Sequence, residues 1–181
     1  MKSIYNDIYS NSKEYKKHYK EVIYYPIWKH VLENVEHNDK ILDLGCGPAH
    51  LSQMLFEGGV KKYTGIDYSP VAIKMARNRN LPYEYIESDL FDIDYSKYAD
   101  HVIIATETFE HIENDIELIK MLPKNKIIFS VPNFMSETHE RVYKNQQYIR
   151  NRYKDIIQIR TILEFKITEK SSIFACTGKI T

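Results

Sequence analysis

From Lys40 onward, short apolar runs alternate with stretches that repeat apolar residues at helical spacing. Ile41-Leu42-Asp43-Leu44 is mostly apolar and stops at Gly45, as a strand buried on both faces does. Leu51, Met54 and Leu55 then recur at helical spacing until Gly58-Gly59. A second strand is predicted over 63–66. Ser69-Pro70 reads as a helix start, with Ser as N-cap, Pro in the first turn, and Ala72, Ile73 and Ala76 on the buried face. Further strands are expected at 83–86, 101–105 and 126–131. Helices are expected around Ile112, Ile116 and Ile119 and over 145–153. The β-like stretches 156–165 and 172–180, with little between them, predict an antiparallel hairpin. Strands alternating with helices predict a parallel sheet covered on both faces.

The first 39 residues carry Tyr15, Tyr19, Val22 and Ile23, then Ile27, Val31, Leu32 and Val35, at roughly helical spacing. Pro26 is expected to separate two helices there. The reading is one domain over 1–181: a helical cap over 1–39 and a core over 40–181, with no repeat or linker between them.

Composition narrows the function. Of 181 residues, 43% are hydrophobic and 28% charged, the mix of a folded, water-soluble protein. Lys+Arg and Asp+Glu are equal at 25 each, so no overall field favours a polyanion, and a nucleic-acid partner is disfavoured. Between Glu84 and Glu117 the acids face a single basic residue, Lys97, which suits a cationic ligand better than a phosphate backbone. Two cysteines, Cys46 and Cys176, provide no disulfide framework. The N-terminus lacks a signal-peptide core and no run approaches a membrane span. A cytoplasmic protein without a membrane partner is expected.

In open α/β sheets a ligand sits beyond the carboxyl ends of the strands. After the first strand comes Gly45-Cys46-Gly47-Pro48-Ala49, where the glycines let the backbone turn tightly and approach a ligand. The second strand ends in Asp67, 20 residues beyond Gly47, where a carboxylate can accept from both hydroxyls of a ribose. Asp89, beyond the third strand, is placed to accept from an adenine amino group. Each acid alone could be a helix cap or a solvated loop residue. A dinucleotide fingerprint needs a third glycine, which is missing, and Asp43 stands just ahead of the loop. An anionic side chain there suits a ligand with a sulfonium and an amino group and no phosphate, namely S-adenosylmethionine. NAD is the runner-up on these residues.

Ile41-Leu42-Asp43-Leu44-Gly45-Cys46-Gly47 resembles the first motif of class I S-adenosylmethionine-dependent methyltransferases. Gly65-Ile66-Asp67-Tyr68-Ser69 resembles their second motif, and Glu87-Ser88-Asp89-Leu90 their adenine-side motif. The resemblance implies a Rossmann-like, doubly wound α/β sheet of seven strands, mostly parallel with an antiparallel last strand, besides the N-terminal helices. It implies a cofactor set of Asp43, Gly45, Cys46, Gly47, Asp67, Tyr68, Ser88, Asp89, Leu90 and Thr106, the last on the methionyl side. Ala49 departs from the third glycine common in the family, and a slightly tighter loop is expected from it.

On the acceptor side, Glu107, Glu110 and His111 are spaced so that a helical turn would put them on one face. His111 could be a general base oriented by Glu110 or Glu107, and Glu110 and His111 are the catalytic assignment. Alternatively Glu107, Glu110, His111 and the distant His139 could hold a divalent metal. That reading resembles the small-RNA 3′-terminal 2′-O-methyltransferases, whereas the leading reading assigns no metal. The bland alternative is that Glu110 and His111 only cap and orient the helix. The Glu-His pair and Ser130-Val131-Pro132-Asn133 also resemble the O-methyltransferases of quinone biosynthesis. Arg150, Arg152 and Lys154 read as a solvated face, and Phe134, Met135 and Tyr143 as packing or an acceptor wall. Sequence alone thus points to methyl transfer to a small-molecule acceptor, more at oxygen than nitrogen. The alternatives are an RNA 2′-O-methyltransferase with a Glu/His metal site and a non-catalytic S-adenosylmethionine-binding protein.

Overall fold

The computed structural model describes residues 2–181. Its seven strands belong to one mixed sheet, and the chain divides into two compact units, Met1–Ile93 and Asp94–Thr181.

The first unit opens with helix α1, Lys2–Asn11. Residues 12–24 form 3-10 turns at Glu14–Lys16 and Tyr19–Glu21 rather than the first of the two expected helices. Pro26 does not divide helices but lies in the first turn of α2, Tyr25–Glu33, where its missing N–H is harmless. Strand β1 is Lys40–Leu44 and β2 is Lys62–Asp67, with β3, Glu84–Glu87, on the other side of β2. All three are parallel, and Asp43 pairs in register with Gly65. Between them run α3, His50–Glu57, ended at Gly58, and α4, Pro70–Arg77. The Ser69 side chain caps α4 by accepting from Ala72 N at 3.2 Å, as its sequence signature predicts. Ile41, Leu42, Leu44, Leu55, Ile66, Ala72 and Ile73 are buried, so the strand ends rest on a closed core.

The second unit contains β4, His101–Thr106, parallel to β5, Lys126–Pro132. Helix α5 is Asp115–Met121 and α6 is Gln146–Tyr153, with Asn145 as its cap. Strand β7, Ser172–Ile180, runs antiparallel to both β5 and β6, Ile157–Lys166. The predicted hairpin is therefore β6–β7, and the last strand is the reversed one.

The core of this unit is organised by Asp115, which is fully buried. It accepts from Tyr153 Oη at 2.7 Å, Tyr143 Oη at 3.2 Å and Arg152 Nε at 3.0 Å, with a second bond from Arg152 Nη2. Arg152 is thus a structural partner of α5 rather than part of a solvated face. Tyr143 is fully buried and packs instead of walling a pocket, while Met135 is 62% exposed. Among the described residues no helix is long and apolar enough to cross a membrane.

Candidate active site

The loop after β1 is shaped by backbone that favours glycine. Gly45 and Gly47 have φ of 75° and 52°, and the N–H groups of Gly45 and Cys46 both donate to Ile66 O, at 2.8 and 3.0 Å. Ala49, at the position of the missing third glycine, also takes the left-handed region, with φ 65° and no exposure. An L-residue there carries strain of about 1–2 kcal/mol. The Cys46 thiol is buried, and burial pushes its pKa well up, so it stays protonated and unreactive.

Two buried carboxylates flank this loop. Asp67 is 4% exposed; its Oδ2 accepts from Gly47 N at 2.9 Å and its Oδ1 from Ser69 N at 2.8 Å. It ties the glycine loop to the start of α4, and each oxygen keeps a further lone pair with which it can accept. Burial raises its pKa against the pull of those two backbone bonds. Asp43 is 1% exposed and accepts with Oδ2 from Tyr63 Oη at 2.5 Å. Its Oδ1 has no hydrogen-bond partner among the described residues. Burial lifts this carboxyl to about 7, opposed by the Tyr63 bond.

An uncompensated acid of this kind fits a ligand bearing positive charge, and a pyrophosphate would meet two buried carboxylates. The site therefore fits S-adenosylmethionine.

Beyond β3, Ser88 N donates to Asp67 O at 3.1 Å and Ser88 Oγ to Asp89 O at 3.0 Å. Asp89 caps the 3-10 turn Leu90–Asp92, its Oδ1 accepting from Phe91 N at 2.9 Å. Tyr68 lies edge-on to Tyr5, 5.6 Å between ring centroids. Thr106 ends β4 half-buried, paired in register with Ser130.

The acceptor-side candidates lie in the second unit, and their turn is not the expected α-helix. Phe109–His111 is a 3-10 turn, and Glu107 precedes it with φ 52°. The Glu107 carboxylate accepts from Ser130 Oγ at 2.8 Å, and its charge still reaches Glu110. Non-glycine residues hold such backbone only where the surroundings enforce it, and here Glu107 N donates to both Ser130 O and Oγ, at 3.2 and 3.0 Å.

Glu110, His111 and His139 do come together, with one ligand atom from each within 4.8 Å of the others. His111 Nε2 lies 3.7 Å from Glu110 Oε1. The rings of His111 and His139 meet edge to face at 4.9 Å. Each imidazole is oriented by a carbonyl: His111 Nδ1 donates to Thr138 O at 2.9 Å and His139 Nδ1 to Phe134 O at 3.1 Å. A carbonyl can only accept, so both rings carry their proton on Nδ1 and the lone pair on Nε2.

Glu110 is fully buried, and its carboxylate meets no hydrogen-bond donor among the described residues beyond its own backbone amide. Burial, then the charge of Glu107, push its pKa well up, and burial lowers His111 to about 4.

Sequence reasoning missed the roles of three residues that shape these sites. Tyr63 orients Asp43. Gly65 leaves the space in which Cys46 packs, since a Cβ there would lie 2.8 Å from Cys46 Sγ. Arg141 grips the Glu110 turn by donating to Phe109 O at 2.7 Å, Ile112 O at 2.5 Å and Glu113 O at 2.6 Å. The β1–β2 register would have revealed the first two; nothing local signals the third.

Residues 41–123 match the methyltransferase domain family. Trans-aconitate 2-methyltransferase of Shigella flexneri is 30% identical over 115 residues, 60% of this chain and 44% of that protein. Ubiquinone biosynthesis O-methyltransferase of Idiomarina loihiensis is 30% identical over 105 residues, 52% of this chain and 42% of that one. The chain thus spans less than half the length of these relatives. Among solved structures, the magnesium protoporphyrin IX methyltransferase of Synechocystis with bound S-adenosylhomocysteine shares the fold, with TM-score 0.64 and 15% identity. That match covers 84% of this chain and 80% of the other. The match over 41–123 and the seven-stranded sheet with its reversed last strand agree: residues 41–123 carry a methyltransferase domain, in a chain with the Rossmann-like methyltransferase fold.

Proposed function

We propose that this chain methylates an oxygen of a small molecule in the cytoplasm, using S-adenosylmethionine. The observation that carries the reading is Asp43, a buried acid with one oxygen lacking a hydrogen-bond partner, beside a glycine loop held by Asp67. When bound, the cofactor supplies a methyl group made electrophilic by its sulfonium. Asp67 takes the ribose hydroxyls, Asp43 offsets positive charge, and the Gly45–Gly47 backbone gives close approach. Tyr68, Ser88, Asp89 and Leu90 are assigned to the adenine end. Much of the rate in such a transfer comes from holding the reacting atoms in line.

Glu110 and His111 are assigned to the acceptor. His111, with its Nδ1 proton held on Thr138 O, offers the Nε2 lone pair to a hydroxyl proton. The names of two relatives, one for trans-aconitate and one for O-methylation in ubiquinone biosynthesis, support a small acceptor and oxygen as the methylated atom. The test is methyl transfer from labelled S-adenosylmethionine to panels of small carboxylates, phenols and alcohols, with RNA alongside. Turnover on a member of the small-molecule panel, reduced in His111→Gln with S-adenosylhomocysteine affinity unchanged, is expected. Labelling of RNA alone would overturn the acceptor assignment.

A second reading has its own observation, the convergence of Glu110, His111 and His139. Two imidazoles turned by carbonyls to carry Nε2 lone pairs, with a buried carboxylate beside them, are donors suited to a divalent first-row metal. In that reading these three residues would hold the ion, and an RNA 2′-hydroxyl would be the acceptor. Loss of RNA methylation on chelation, and RNA binding that weakens steeply with salt, would favour it over the first.

A further inference from the structure

The N-terminal tyrosines are the largest feature of the first unit that the cofactor assignment leaves unused. Helix α1 carries Tyr5 and Tyr9, Tyr15 follows in the next turn, and Tyr68 directly succeeds Asp67. Tyr9 and Tyr15 meet edge to face with centroids 4.8 Å apart; Tyr5 lies 6.2 Å from Tyr9 and 5.6 Å from Tyr68.

The cluster is fixed against the glycine loop. Ser69 Oγ donates to Asn6 Oδ1 at 2.7 Å, pinning α1 to the turn after β2. Tyr9 is 9% exposed, and a Cβ built on Gly47 would lie 3.4 Å from its Oη and 3.8 Å from its Cε1. This ring therefore stands beside Gly47, at van der Waals distance from where a side chain would begin. Both Tyr9 and Tyr15 lie in the field of Asp67, which with burial keeps their phenols protonated.

Aromatic rings present a negative face, and several of them around one point attract a cation strongly once water is excluded. Here they adjoin the buried carboxylate of Asp67, so ring faces and a carboxylate together favour positive charge beside Gly47. We propose that Tyr9 and Tyr15, backed by Tyr5, wall the cofactor site and bind the positive charge of the sulfonium. The inference rests on the cofactor assignment and adds to it a means of discharging product: S-adenosylhomocysteine, a neutral thioether, loses this attraction once the methyl has left.

The test compares the two ligands by calorimetry in the whole chain. Tyr9→Leu should weaken S-adenosylmethionine about tenfold more than S-adenosylhomocysteine, whereas Tyr9→Phe, which keeps the ring, should preserve their ratio. Tyr15→Leu, outside the helix, should shift the ratio in the same direction and decides the matter if Tyr9→Leu does not fold. Equal losses for both ligands in the leucine variants would overturn the proposal while leaving the cofactor assignment intact. Failure of the parent chain to bind either ligand would overturn the assignment and the proposal together.

Discussion

Asp67→Asn separates the charge of this carboxylate from its bulk. The native side chain accepts from Gly47 N at 2.9 Å and Ser69 N at 2.8 Å, in a setting that is 4% exposed. Asparagine has the same shape but only one acceptor oxygen, so one backbone N–H must face another donor. A hydrogen bond to a charged group contributes about 1.5–3 kcal/mol, and leaving a buried partner unmade adds to the loss. Against that, burial penalises the native charge, as its raised pKa records, and a neutral amide escapes this penalty. The balance is a destabilisation of about 1–2 kcal/mol, or a melting temperature lower by roughly 2–8 °C for a domain of this size.

Cofactor affinity should fall further. The ribose loses an anionic acceptor worth about 1.5–3 kcal/mol, which is roughly a 10- to 150-fold rise in Kd. Titration calorimetry with S-adenosylhomocysteine, well below both melting temperatures, measures this directly. An unchanged Kd would refute the placement of the ribose at Asp67, whatever the melting temperature did.

Other expectations follow from single contacts. Burial lifts Asp43 from 3.8 to about 7, so between those values the folded chain keeps a proton that the unfolded chain has lost. Its contribution to the stability of the cofactor-free protein therefore declines as pH rises through that window and levels off above it. Asp43→Asn should flatten this part of the melting profile. Binding of S-adenosylmethionine near pH 7 should release protons, seen as a heat that depends on the buffer; no such dependence would contradict the charge pairing. Asp115→Asn removes the charge and one of the two acceptor oxygens that serve Tyr143, Tyr153 and Arg152, and should destabilise by about 3 kcal/mol, because breaking a buried ion pair strands its partner. A melting temperature within experimental error of the parent would remove Asp115 from that role. Gly65→Ala would press a Cβ to 2.8 Å from Cys46 Sγ and should destabilise by about 1–3 kcal/mol through overpacking. Unaltered urea unfolding would show that Cys46 moves aside freely.

The alternation of strands and helices from Lys40, the cap at Ser69, the glycine turn and the acids at 43 and 67 were determined by the sequence itself. Each rests on local periodicity or on a backbone demand that few residue types meet. Tertiary structure decided the rest. Tyr63 reaches Asp43 only because β1 and β2 pair in one register, and Arg141 finds the Glu110 turn from about 30 positions away in the chain. Residues 12–24 keep a helical spacing of aromatics yet form 3-10 turns, as His18 and Lys17 bond locally or to His50 instead of continuing a helix. Glu107 leaves the helical face predicted for it because Ser130 captures both its amide and its carboxylate. Local pattern specifies which elements form, since it depends on neighbours a few residues apart. Which side chains meet depends on how those elements pack, and no window along the chain contains that.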